Sequence, residues 1–423
     1  MEHTRGSAWL PVGLVVSLAL VLTGVGAASA VGPVDVWVLS NTPGFGSANT
    51  HYITSLGDFQ DQIYAGTAGK LAAPGPTQLW RRDGRYGPWT AVSTDGLGNP
   101  NNVGIDDLVE FDGKLYAGLW NDTDGGEIQR SADGSSWIPV VTGGKGNLNN
   151  GEVSSLTVFD GKLYAGTLNM TNGAEIWRSS TGDSASWSAV VTGGNGSNAN
   201  ASISSFEVFN SKLYAAVFDW SGGRVWRTKT GTGSAGDWVD VTPSPAGFGQ
   251  NHGILALGVL GGRLYASTLG DPGAPYSATV WRCSACDGSD WEKVLDGTVL
   301  NSQTSGNSGL ISLPSLLCPI PGMAQRSADG AAAATDVLYF IVGNSTAGME
   351  VWATSSGSAG SWVPVGFNGF MDSHNTATYS DHSSTVYDDH LFVGTINKTV
   401  GAEIWQLLPC GYRTYLPVVL RNP

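Results

Sequence analysis

The residues best equipped for chemistry gather in Gly/Asn-rich segments that recur along the chain. Asp106, Asp107 and Glu152 supply carboxyls, His51, His252 and His374 supply imidazoles, and Trp120 and Trp220 supply indoles. Beside them stand Asn49, Asn101, Asn149, Asn200, Asn251, Asn307 and Asn375, with Phe45, Phe248, Phe367 and Phe370 nearby. Two converging carboxyls would allow general acid and base work on a glycosidic bond. Amphipathic rings mixed with amides and carboxylates suit contact with carbohydrate or peptide. The amides admit two readings: they line one polar pocket, or each caps its own turn. Their recurrence favours the cap. The carboxylates, imidazoles and indoles change from segment to segment, so they are the candidate ligand contacts.

Other chemistries find less support. No Gly-x-Ser-x-Gly, His-Glu-x-x-His or phosphate-binding loop occurs. "NDTDGGE" (121–127) starts like a calcium loop but lacks the distal bidentate carboxylate. It stands in register with "NMTNGAE" and "NKTVGAE", so it reads as a hairpin and no cofactor is expected, with calcium in this segment as the alternative. The same register accounts for the Asn-x-Ser/Thr sequences at Asn121, Asn169, Asn344 and Asn397, whose Asn and Thr suit the turn. A formal net charge of −14, with only 21 scattered Lys and Arg, argues against nucleic acid and anionic membrane as partners.

The elements that must position these residues come from a repeat. "LYAGT"-like segments begin at Ile63, Leu115, Leu163, Leu213, Leu264, Leu338 and Leu391, about 50 residues apart with one longer gap before Leu338. In residues 153–191, "SSLTVF" is joined to "KLYAGT" by an Asp-Gly turn, a strong hairpin signal. "AEIWRS" and "WSAVV" follow as two further strands. With 60 Gly, 16 Trp and no sustained helical periodicity beyond the leader, the chain is expected to be all-β. Four-stranded units at this period predict a seven-bladed β-propeller.

Tryptophans test the count. Third strands carry Trp80, Trp177, Trp226, Trp281, Trp352 and Trp405, with Gln129 in the second unit. Fourth strands carry Trp89, Trp137, Trp187, Trp238, Trp291 and Trp362, and the last unit has none. Trp37 supplies it, so the strand at about 35–40 is expected to complete the C-terminal blade and close the ring. The inter-blade loops and second-to-third loops then share a top face. The tight turns and third-to-fourth loops share the bottom.

"SADGSSW" (131–137) resembles the Asp-box of sialidase-type and Kelch-like propellers, and "CSACDGSDW" (283–291) and "RRDGRYGPW" (81–89) are looser versions. The resemblance implies a structural hairpin rather than an activity. The whole unit is similar to a repeat of secreted bacterial propellers of undefined role. A sialidase would need three converging arginines, whereas Arg82, Arg130, Arg178, Arg227 and Arg282 mostly end third strands.

Residues 1–30 read as a signal peptide, with an apolar run from Leu10 to Val25 and Ala28-Ser29-Ala30 at the cleavage site. That leaves a domain at 31–409, with an insertion at about 314–335 in the sixth blade, and a tail at 410–423. The tail "YRTYLPVVLRNP" resembles the Tyr-Leu-Pro-x-Val endings of secreted bacterial proteins and is a candidate sorting signal; the alternative is a strand packed on the bottom face. Export permits disulfides, and the face assignment favours Cys283–Cys286 and Cys318–Cys410 over a zinc site. The expectation is a secreted or cell-surface binding or scaffold module for carbohydrate or protein, monomeric, with no membrane span in the mature chain. Its candidate contacts are Asn49, His51, Asp106, Trp120, Asn149, Glu152, Asn200, Trp220, Asn251, His252, His374 and Asn375. The alternatives are an extracellular glycoside hydrolase or lyase and a purely structural envelope protein.

Overall fold

A computed structural model describes residues 36–69, 77–219, 221–244, 247–248, 253–269, 278–296, 308–313, 337–343, 347–377, 381–388 and 390–408. The leader, the sixth-repeat insertion, the tail, Cys318 and Cys410 lie outside the described residues. Among the described residues, no helix is long and apolar enough to cross a membrane.

The third repeat shows how the unit forms. Glu152–Phe159 turns back through Asp160 and Gly161 into Lys162–Leu168. Both turn residues have positive φ, 49° and 64°. That is the type I′ geometry, whose twist matches the flanking strands and which Asp-Gly tolerates. Lys162–Leu168 pairs with Ile176–Ser179, and that strand with Ser188–Val191. The first repeat copies the order in Tyr52–Phe59, Gln62–Ala68, Leu79–Asp83 and Trp89–Ser93. All named strand pairings are antiparallel, and successive four-stranded units stand side by side. This is the architecture of a β-propeller.

The two chain ends meet in one sheet. Trp37–Leu39 pairs with Ile404–Leu407, which pairs with His390–Gly394 and then Ser384–Tyr387. Trp37 donates its indole N–H to the Val365 carbonyl of the preceding sheet at 2.7 Å. Trp291 makes the same bond to Val241 at 2.8 Å, and Trp89 to Ser40 at 3.0 Å. Trp37 therefore occupies the fourth-strand place that the last repeat lacked.

Neighbouring sheets are bonded by three recurring devices. Side chains of adjacent repeats interdigitate, as where Tyr116, Ile128, Val153, Leu163 and Trp177 form one buried cluster; each such side chain gains roughly 1.5–3 kcal/mol by leaving water. The tyrosines of the "LYAGT" strands reach the next repeat's third-to-fourth loop. A Cβ at Gly134, Gly182, Gly233 or Gly357 would collide with the hydroxyl of Tyr64, Tyr116, Tyr164 or Tyr265 respectively. Finally, a bulge in the inner strand leaves a carbonyl out of the ladder, and hydroxyls of the preceding repeat satisfy it. Thr54 and Ser55 donate to Ile105 at 2.6 and 2.7 Å, and Ser154 and Ser155 to Ile203 at 2.8 Å each.

The Asp-box-like loops are also internal devices. Asp133 accepts from the Ser135 and Ser136 amides at 2.8 and 2.7 Å, which with Ser131 hold its carboxyl well below the usual range. Asp290 accepts from the Ser284, Ala285 and Cys286 amides at 2.8, 2.6 and 2.9 Å. Cys283 and Cys286 in that loop are joined by a disulfide, with Cα atoms 5.0 Å apart.

Candidate ligand site

The repeated amides hold loops. Asn150 is fully buried, donates to Gly144 at 3.0 Å and accepts from Asn169 at 2.8 Å. Asn169 in turn accepts from the Thr171 and Asn172 amides at 3.1 and 2.7 Å. Asn102 with Asn121, and Asn375 with Asn397, repeat this lock at 2.9 and 2.8 Å. Asn200 likewise donates to Gly194 at 2.7 Å. Asn121, Asn169 and Asn397 are thus buried parts of the lock.

This corrects the expected register in the first three repeats. Asn49, Asn101 and Asn149 are exposed, one residue before the buried position, which holds Thr50, Asn102 and Asn150. Asn149 bonds sideways to Asn172 at 2.8 Å. Runs such as "LNN" and "PNN" make the two positions indistinguishable by composition, and only packing selects the second. Asn200 and Asn375 sit at the buried position and serve the fold. Asp124, in the calcium-like segment, accepts from Asn101 at 2.8 Å, and such amide bonds hold its carboxyl below its ordinary value.

His51 and His374 have separate surroundings. His374 is exposed and bonds Asp372 at 2.9 Å. His51 is buried, and its backbone carbonyl accepts from Asn397 at 2.9 Å. Trp220, Asn251 and His252 lie outside the described residues. Three of the arginines that end third strands are bonded on the opposite face. Arg130 pairs with Asp183 at 2.7 Å, Arg178 bonds the Thr232 carbonyl at 3.1 Å, and Arg282 bonds Gly357 at 3.0 Å.

Asp106, Trp120 and Glu152 do come together. Gly104 and Glu152 both pair with Trp120 in the ladder. A Cβ on Gly104 would sit 3.2 Å from Asp106 Oδ1 and 3.3 Å from Trp120 Cε3. By register, Asp106 and Asp107 occupy the places that Thr54 and Ser55, or Ser154 and Ser155, hold in the neighbouring repeats. The second repeat thus presents carboxyls where its neighbours present hydroxyl donors.

Two residues join the cluster that sequence reading had not singled out. His382, two places before Ser384 as Thr54 is two before Leu56, meets Asp107 with Nδ1 3.2 Å from Oδ1. Asp122 Oδ1 lies 2.6 Å from where a Cβ on Gly151 would stand. Their signal was positional: His382 falls on the repeat's hydroxyl row. Asp107 also accepts from the Leu156 amide of the next inner strand at 2.6 Å. Asp107 and His382 also line a cavity of about 260 Å³, with Leu56, Leu108, Leu156, Phe206 and Leu257 among its other walls.

The electrostatics follow from crowding and burial. Asp106 is 7 % exposed, and its Oδ2 is buried without a hydrogen-bond partner. Burial first, then the charges of Glu152, Asp107 and Asp122, push its carboxyl well above the ordinary value. Glu152 keeps some accessible surface, yet its carboxyl is densely surrounded. The carboxyl's own surroundings govern its titration, so burial and then Asp122 push it up to about 7, with His382 pulling the other way. Among the described residues no group of three or more His, Cys, Asp or Glu is arranged to hold a metal ion.

No family model and no curated protein matches this chain. Among solved structures it is similar to a prolyl endopeptidase, at 12% identity and TM-score 0.44 over 86% of this chain and 50% of that one. It is also similar to a luciferin-regenerating enzyme, at 9% identity and TM-score 0.44 over 92% of this chain and 100% of that one. A third is the β-propeller domain of the Trilobed protease from Pyrococcus furiosus, at 10% identity and TM-score 0.43 over 85% and 95%. The chain spans half the length of the endopeptidase chain. At these identities the likenesses reach no residue of the cluster.

Proposed function

We propose that the sheets close into a seven-bladed ring and that the protein is a secreted or surface-bound binding module. Its ligand, carbohydrate or protein, is held at the top of the second and third blades. Closure is supported by the inner strands. Ser384–Tyr387 touches both Tyr52–Phe59 and Ser308–Leu313, at opposite ends of the series. Deleting residues 31–41 should lower Tm by about 10 °C or more, because a paired strand and its buried Trp37 are lost. A truncated protein melting like the parent would remove the closure.

One observation carries the binding assignment. At a position where Thr54, Ser154 and Ser204 bond the next blade, the second blade has Asp106, with a buried carboxyl oxygen that nothing among the described residues satisfies. A residue that costs stability where its repeats stabilise is expected where a ligand supplies the partner. Returning the site to the repeat pattern tests this. On a glycan array, Asp106→Ser and Glu152→Ser should each lose at least about tenfold in affinity, or about 1.4 kcal/mol, while remaining folded. A parent that captures nothing, or variants that bind like it, would overturn the assignment.

The convergence of Asp106 and Glu152 also favours a second reading, glycoside hydrolysis, because a pair of carboxyls with displaced proton affinities meets its first requirement. Polysaccharide hydrolysis abolished by Asp106→Asn or Glu152→Gln would select it.

A further inference from the structure

We propose that the fourth repeat carries a second ligand site, a top-face cavity that takes a neutral sugar residue. It is separate from the carboxyl cluster and goes beyond the reading above. The cavity, of about 470 Å³, lies between Gly222 of one loop and Pro243 and Phe248 of the next, with Arg224 and Asp240 in its wall. That volume falls within the roughly 300–1,000 Å³ of small-ligand pockets.

Loop length opens it. In the second, third, sixth and seventh repeats the second-to-third loop abuts the loop entering the next blade. A Cβ at Gly125, Gly173, Gly348 or Gly401 would stand 2.5–2.8 Å from Gly144, Gly194, Gly369 or Gly44 respectively. A Cβ at Gly222 would meet no described residue within 4 Å. Seven positions separate Asp219 from Trp226, where eight separate Asn169 from Trp177. Ten separate Trp238 from Phe248, where eight separate Trp37 from Phe45, and both phenylalanines pack on the next blade's tryptophans. A shortened loop thus faces a lengthened one, and the gap between them is the cavity.

Charge is reversed there too. Two places before the third-strand tryptophan, Glu175, Glu350 and Glu403 accept that residue's indole N–H. The fourth repeat has Arg224 instead, which cannot accept. Asp219 follows Tyr214 by five places, as the locking Asn169 follows Tyr164, and Asp240 stands opposite Trp226 as Ala189 stands opposite Trp177. Arg224 donates from Nε to Asp219 at 3.3 Å and from Nη1 to Asp240 at 3.0 Å. Its Nη2 bonds no described residue, and the Arg224 and Asp240 side chains are 40 % and 39 % exposed. An entering ion of either sign therefore meets a like charge. A hydroxyl both donates and accepts, so adjacent hydroxyls of a sugar can accept from Nη2 and donate to Asp240. Both bonds are charge-assisted, the stronger kind.

The test uses the intact protein and follows binding calorimetrically with four neutral probes, cellohexaose, xylohexaose, mannohexaose and maltohexaose, and two charged ones, glucosamine hexamer and hexagalacturonate. At least one neutral probe should bind at least about tenfold more tightly than either charged one. Asp219→Asn combined with Arg224→Glu gives the fourth repeat the residues of the third. That double variant and Asp240→Ala should each lose the neutral probe at least about tenfold, with Tm reporting that they fold; Asp240→Ala decides alone if the double variant does not. Capture of none of the neutral probes, or equal affinity for a charged one, would overturn the sugar assignment. A neutral probe kept by the folded fourth-repeat variants and lost in Asp106→Ser would overturn this site and leave the second-blade reading standing. Loss in the fourth-repeat variants with retention in Asp106→Ser would support this site and count against the other.

Discussion

The second and third repeats have matching strand order and differ in what their first strands offer a neighbour. In the third, Ser154 and Ser155 donate to Ile203, and Asn150 and Asn169 lock the loops above. In the second, the lock is kept through Asn102 and Asn121, but Asp106 and Asp107 replace the hydroxyls. Only Asp107 finds bonds, to Leu156 and His382. Gln129 likewise replaces a tryptophan, yet it keeps that residue's bond, reaching Glu127 at 3.2 Å as Trp177 reaches Glu175 at 2.7 Å. Some departures from a repeat are therefore conservative in their physics and others are not. The second kind marks the site.

Among single substitutions, reverting the second repeat to the third should have the largest effect on stability. Asp106→Ser removes a buried, unpartnered carboxyl and restores a donor. It should stabilise the fold by about 1–3 kcal/mol at pH 8 in urea denaturation. The sign of the pH dependence follows from both carboxyls having proton affinities raised on folding. The folded state then binds more protons than the unfolded one, so the parent loses stability as pH rises from about 4 through about 7. The gain from Asp106→Ser should shrink toward zero near pH 4. A gain independent of pH, or a loss at pH 8, would show that Asp106 is satisfied within the chain.

A smaller effect separates the lock from the site. Asn150→Ala strands the buried Asn169 amide and should cost about 1–2 kcal/mol without changing ligand affinity. Asn149→Ala, one residue away and exposed, should stay within about 0.5 kcal/mol. Equal effects at the two positions would break the register assigned here.

Much of the fold was legible because its determinants are local and repeated. Asp-Gly turns set the hairpins, and the missing fourth-strand tryptophan led directly to Trp37, now seen against Val365. The candidate site was legible in part. Asp106, Trp120 and Glu152 stood out because they break the repeat, whereas His382 did not, since it lies 276 positions beyond Asp106 in a less regular repeat. Asn49, Asn149, His51 and His374 could not be sorted from the sequence, because burial distinguishes them and composition does not.

The sequence alone determined the strand order, the turns, the alternation of apolar residues and the sharing of a sheet between the chain ends. Each depends on contacts within about one repeat or on a pattern copied along the chain. Tertiary structure decided which asparagines are locks, which carboxyls crowd together, and that an indole and a carboxyl close in on a glycine. Those outcomes depend on distances between side chains from different repeats, and no spacing in the chain encodes them.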